Sequence, residues 1–141
     1  MIIYIDGIFD LFHVGHLKSF KYIKNLYPDC FLLVGVISDS DATNYKRKPI
    51  INEQQRCDII KSIKYVDGII FPAPLIINNE FILNNKIDKV VHGFSCEEDK
   101  KKQESFFKDI INNFEEIPYN SEISTTDIID EIKKKILVKF I

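Results

Sequence analysis

Residues 31–37 read Phe31-Leu32-Leu33-Val34-Gly35-Val36-Ile37, an unbroken apolar run that ends at Ser38-Asp39. A strand with one wet face would alternate apolar and polar side chains. A run without alternation belongs to a strand covered on both faces, as in a parallel sheet. Ile2–Ile5 is a second buried run on the N-terminal side. Between the two, residues 14–25 mix Leu17, Phe20, Tyr22 and Ile23 with Lys18, Lys21 and Lys24, the pattern of a helix. On the C-terminal side, Asn52 is placed to cap a second helix, with Gln55 three residues on. Residues 66–71, 89–92 and 114–117 read as three further strands, the first of them closed by Pro72 and Pro74. Helices are expected around 80–84, 101–112 and 125–135, and the charged stretch Glu97–Lys102 as a mobile loop. Strand–helix alternation of this kind predicts one α/β domain over residues 1–141, a five-stranded parallel sheet with helices on both faces.

Composition narrows the function. A chain of 141 residues suits one core, and 45% hydrophobic residues can fill it. The net charge is −2, and the only arginines are Arg47 and Arg56, which argues against a nucleic-acid binder. Cys30, Cys57 and Cys96 are isolated and odd in number. They suggest neither a zinc site nor a disulfide framework. The apolar start reaches Asp6 at once with no basic leader, so it reads as a strand rather than a signal peptide. No segment is long and apolar enough to span a membrane. The expected location is cytoplasmic, with no stable membrane anchor.

In a doubly wound sheet the ligand sits beyond the carboxyl ends of the strands. Those ends are residues 6–16, 38–50, 71–75, 92–97 and 118–126, and all three histidines, His13, His16 and His92, fall within them. His13-Val14-Gly15-His16 stands where the first helix begins. As plain structure it is a turn and a helix start that contain histidines. As a site, it combines free amide donors with the positive end of the helix dipole, and Gly15 admits close approach of a phosphate. Two imidazoles there can donate hydrogen bonds to phosphate oxygens, which suits phosphoryl or nucleotidyl transfer. No serine or cysteine stands beside a base as a nucleophile would.

The longer stretch Asp6-Gly7-Ile8-Phe9-Asp10-Leu11-Phe12-His13-Val14-Gly15-His16 resembles the signature of the choline-phosphate, ethanolamine-phosphate and glycerol-3-phosphate cytidylyltransferases. Collinear segments extend the likeness: Val34–Asp39, Asn44-Tyr45-Lys46, Asn52–Arg56, Tyr65-Val66-Asp67 and Ile123–Ile129. The resemblance implies a Rossmann-like fold and transfer of CMP from CTP to a phosphorylated alcohol, with release of pyrophosphate. It implies catalytic roles for His13, His16 and Lys46. It places Gly7, Ile8, Phe9, Gly15, His92, Gly93, Ser124, Thr125 and Thr126 on the nucleotide, and Asp10 and Tyr119 beside the second substrate. It also implies magnesium carried with CTP rather than in a protein metal site, and a homodimer.

The chain departs from that pattern at defined points. The family writes R-T-x-G where this sequence has Tyr119-Asn120-Ser121-Glu122. Tyrosine lacks the guanidinium fork for phosphate, and a carboxylate at Glu122 beside a triphosphate would repel it. Lys64 replaces the arginine before Tyr65-Val66-Asp67, and Leu75 replaces an aromatic. His92-Gly93 leans toward the ethanolamine-type wording, and residues 6–16 toward the choline type. Phe71, Phe94 and Tyr119 are the aromatics available for a cationic acceptor. Phosphocholine or phosphoethanolamine is the expected acceptor. The alternatives are glycerol 3-phosphate, a degenerate nucleotide-binding protein with little turnover, or a relative that uses ATP.

Overall fold

The structure, a computed structural model, describes residues 1–140. The strands are β1 (Ile2–Gly7), β2 (Phe31–Val36), β3 (Gly68–Ile70), β4 (Lys89–His92) and β5 (Phe114–Glu116). The helices are α1 (Val14–Leu26), α2 (Asp39–Tyr45), α3 (Glu53–Lys61), α4 (Asn79–Asn84), α5 (Glu97–Phe107) and α6 (Thr125–Phe140), with a 3-10 segment over Lys108–Asn113. All strand pairs are parallel, and their order is β3-β2-β1-β4-β5. The fold is α/β and Rossmann-like, as the strand–helix alternation predicts.

Side-chain alternation along β1 and β2 divides the core into two layers. Ile3, Ile5, Leu32, Val34 and Val36 point to one face, where Phe20 and Ile23 of α1 and Cys57 and Ile60 of α3 cover them. Tyr4, Leu33 and Val90 point to the other, against Ile82 of α4, Phe107 of α5 and Ile110. Both faces are apolar, so these strands show no polar alternation in sequence. Gly35 is required by the second layer. A Cβ there would meet the Tyr4 hydroxyl at 2.0 Å.

One expectation needs correction, and one helix is added. Residues 97–102 are the opening turns of α5 rather than a mobile loop. Gln103 and Phe107 are buried and anchor the helix, and Glu97, Glu98 and Asp99 lie at its positive end. Residues 39–45, within the strand end 38–50, form α2, a helix additional to those expected. Ser38 caps it by accepting from the Asp41 amide at 3.1 Å.

Candidate active site

The strand order reverses beside β1: the chain first winds to β2 and β3, then returns to place β4 on the other side. A cavity of about 740 Å³ opens over this point, within the roughly 300–1,000 Å³ common for small-molecule sites. His13, His16, Lys46, Gly7, Ile8, Phe9, Asp10, Gly15, His92, Gly93, Tyr119, Ser124, Thr125 and Thr126 all line it. The structure thus brings every site residue expected from sequence to a single cavity.

His13 is the N-cap of α1, in extended conformation. Its Nδ1 accepts from the Gly15 amide at 3.0 Å, and Nδ1 of His16 accepts from the His13 amide at 3.2 Å. This is a capping box made from two imidazoles, whose rings stack at 3.8 Å. A neutral imidazole that accepts at Nδ1 carries its proton on Nε2. Burial holds both rings below the ordinary histidine value. For His16, His13 and Lys46 add to that effect and bring it to about 3. For His13 burial outweighs the opposing pull of Asp127. At neutral pH both rings are therefore uncharged, and each offers one Nε2–H.

The loop that delivers these rings is strained and braced. Phe9 and Leu11 have φ of 57° and 48°, in the left-handed region that costs a side-chain-bearing residue about 1–2 kcal/mol. Phe9 is buried with its ring edge-on to His16 at 5.4 Å, and Phe12 stacks on His16 at 5.3 Å. Between them Asp10 accepts the amides of Ile50 and Ile51 at 2.8 and 2.9 Å. Its carboxylate ties the loop after α2 to the site. Its carbonyl oxygen accepts the Thr125 hydroxyl at 2.8 Å, which ties α6 to the same loop. Gly15 has no room for a side chain: a Cβ would lie 2.8 Å from the His13 ring and 3.1 Å from the Ile123 carbonyl.

Arg56 of α3 is a second brace, and sequence reading gave it no role. It is 1% exposed. It donates to the carbonyls of Ile8 (2.6 Å), Ile37 (2.8 Å) and Ile51 (2.9 Å) and to Asp39 Oδ1 (2.7 Å). Those partners lie on three separate connections around the cavity, so one guanidinium holds them in register. Its signal would have been the shortage of arginines, but nothing local to Arg56 marks it as buried.

Around the rim, Lys46 follows α2 close enough to His16 to lower its basicity. Ser124 Oγ accepts the Asp127 amide and Asp127 accepts the Ser124 amide, both at 3.0 Å, so α6 also begins with a capping box. Glu122 does not line the cavity. It pairs with Lys18 of α1, which corrects the expectation of a carboxylate facing the phosphates. Phe71 and Phe94 do not line it either; Phe94 packs on Phe107 and Phe114. The aromatic wall is instead Tyr45, Phe106 and Tyr119, with Tyr45 edge-on to Phe106 at 5.6 Å. Asp6 and Asp99 share that wall. Burial first, then Asp99 and Asp6, push the Tyr45 hydroxyl up to about 12. Asp6, 7% exposed, stands 3.6 Å from Nδ1 of His92, a buried nitrogen with no hydrogen-bond partner.

Among the described residues, no three His, Cys, Asp or Glu side chains converge as a metal set. No described helix is long and apolar enough to cross a membrane.

Comparison with known proteins bears on the family. The cytidylyltransferase-like family profile matches residues 4–131. The chain is 35% identical over 135 residues to choline-phosphate cytidylyltransferase 2 of Arabidopsis thaliana, covering 94% of this chain and 44% of that protein. It is 42% identical over 90 residues to choline-phosphate cytidylyltransferase A of Rattus norvegicus, covering 64% and 24%. It is 36% identical over 125 residues to ethanolamine-phosphate cytidylyltransferase of Arabidopsis thaliana, covering 87% and 27%. The chain thus spans less than half the length of these relatives. Among solved structures, a lipopolysaccharide core biosynthesis protein from Thermoplasma volcanium matches with TM-score 0.65 and 25% identity, covering 85% of this chain and 96% of that one. The profile match begins in the central strand and runs into α6, so it contains both walls of the cavity and not the sheet alone. On that span the chain belongs to the cytidylyltransferase-like family.

Proposed function

We propose that this cavity transfers a cytidylyl group from CTP to a phosphorylated amino alcohol, phosphocholine or phosphoethanolamine, and releases pyrophosphate. The observation that carries the reading is the interlocked His13–His16 pair at the start of α1. Each ring has its Nδ1 occupied by a backbone amide, so each presents a fixed Nε2–H where an anion would sit. Fixed donors in a partly dry site stabilise charge that develops in the transition state. A phosphate oxygen of the acceptor attacks the α-phosphorus in line, a new P–O bond forms, and the bond to the bridging oxygen of pyrophosphate breaks. The imidazoles keep their protons throughout, and Lys46 adds positive charge to the same oxygens. Magnesium, held on triphosphate oxygens rather than by a protein cage, would neutralise further charge there.

The acceptor choice rests on the opposite wall. Asp6 and Asp99 with the rings of Tyr45 and Phe106 suit a cationic amine, quaternary or primary. Glycerol 3-phosphate brings no positive charge of its own to those carboxylates. The assembly that accompanies this reading is a homodimer, which light scattering would check. Tyr119, where the family pattern has arginine, favours a second reading: a nucleotide binder with slow turnover.

The test is pyrophosphate release with CTP and magnesium against phosphocholine, phosphoethanolamine, glycerol 3-phosphate and no acceptor, with ATP as the nucleotide control. Release that needs an amino-alcohol acceptor and CTP is expected. CTP binding without release on any acceptor would transfer the conclusion to the second reading. His16→Ala should lower turnover by about two orders of magnitude or more with the fold intact.

A further inference from the structure

The geometry points to Arg47 as a phosphate-gripping residue that spans the mouth of the cavity. This inference rests on the reading of the cavity as a triphosphate site. Arg47 follows Lys46 on the loop after α2, is exposed, and lines the cavity. Its Nη1 donates to the Thr126 hydroxyl at 3.3 Å, across 79 positions of sequence. That bond crosses from the loop after α2 to the first turn of α6. It is long for a hydrogen bond and uses one of five guanidinium donors, so most of the fork remains available.

The other arginine of the chain, Arg56, is fully engaged with three carbonyls and Asp39. Arg47 is therefore the one guanidinium that can face a ligand in the cavity. Tyr119, on the same rim, offers a hydroxyl but no positive charge. A triphosphate whose α-phosphate meets His13 and His16 extends its outer phosphates toward the start of α6, where Thr126 stands. Arg47 is already tethered there. Phosphate oxygens are stronger acceptors for guanidinium than a hydroxyl, so ligand entry exchanges the Thr126 bond for charge-assisted ones. Arg47 would thus replace, from a different loop, the charge absent at position 119.

The experiment is calorimetric titration of the full chain with sodium tripolyphosphate and with CTP, together with steady-state pyrophosphate release. The variants are Arg47→Gln, Arg47→Lys, Thr126→Val and the double variants Arg47→Gln/Thr126→Val and Arg47→Gln/Tyr119→Arg. Lys64→Gln serves as a loss of charge away from the cavity. Arg47→Gln should weaken tripolyphosphate binding and raise KM for CTP about tenfold or more, with a smaller change in kcat. Arg47→Lys should recover part of the loss, because an ammonium cannot make the fork. Tyr119→Arg should restore affinity to Arg47→Gln, and Lys64→Gln should leave affinity and KM unchanged. Unchanged tripolyphosphate affinity and KM in Arg47→Gln would overturn the inference. So would an equal loss in Thr126→Val with no further loss on combination, since Arg47 would then act only by holding Thr126. The broader reading fails separately: a wild-type chain that binds tripolyphosphate through Arg47 but shows no CTP preference supports the grip and rejects the nucleotide.

Discussion

His16 binds a proton far less readily in the folded chain than in the unfolded one, and stability must reflect that difference. Its folded value of about 3 lies below the ordinary 6.5. Between those values the unfolded state holds more protons, so stability rises with pH across the window. The contribution is complete above about pH 6.5 and is lost progressively as pH falls toward 3, by up to about 1.4 kcal/mol per pH unit. His13 is shifted in the same direction. Melting curves at pH 7 and pH 4.5 should show a larger acid-induced fall for the wild-type chain than for His16→Ala. Parallel falls would mean that His16 is not a depressed base. Gly15→Ala is the second prediction at this scale. The added methyl must displace either the His13 ring or the Ile123 carbonyl. Loss of CTP affinity by about tenfold or more is expected in titration, with destabilisation of about 1–3 kcal/mol. The spacing of His13, Gly15 and His16 was legible because a short motif keeps its neighbours. The mutual capping was not, since histidine is an uncommon cap and the bond depends on the backbone angles of the loop. The Lys18–Glu122 pair was hidden for a different reason: its members are 104 positions apart.

Elements are joined here by single side chains at their ends, and Asp67 shows how much one can hold. It accepts the Leu32 amide at 2.8 Å and Lys24 Nζ at 2.5 Å, so α1, β2 and the entry to β3 meet at one carboxylate. Burial pushes that carboxyl upward, but its bonds to Lys24 and Leu32 prevail and hold it below the ordinary aspartate range. Asp67→Ala would leave the Leu32 amide without a partner. Urea unfolding should show a loss of about 1–3 kcal/mol, with KM for CTP nearly unchanged because Asp67 lies outside the cavity. Tyr65-Val66-Asp67 was legible as a family segment, but its use as a brace was not. Neither α2, which had no sequence signal, nor the misread start of α5 is strongly apolar: one is short and polar, the other strongly charged. α2 is held by the Ser38 cap and buried Ala42, and α5 by buried Gln103 and Phe107. Hydrophobic periodicity is weak in such helices, and the charge run at 97–102 masked the anchors behind it.

The molecule separates the part that holds it together from the part that completes its site. Among the described side chains, those of α6 contribute no buried residue, yet Thr125 and Thr126 line the cavity. Ending the chain after Asn120 should therefore preserve a cooperative thermal transition while abolishing CTP binding in titration. Loss of the transition itself would show that α6 supports the core. The α/β class was readable from sequence because unbroken apolar runs require cover on both faces. The strand order was not, since a run of Val and Ile carries no record of its neighbours. β1 takes the centre, pairing with β2 on one side and β4 on the other.

That arrangement sets a timetable. On a ribosome adding about 5–20 residues per second, His13 emerges some 5–20 s before Thr125. β1, β2 and β3 can assemble while the rest is still being made, and β4 and β5 dock afterward. The wall of the cavity at α6 arrives after both. A nascent chain can thus complete its sheet before its site, and synthesis halted between Asn120 and Thr125 would leave the sheet with an open, idle pocket.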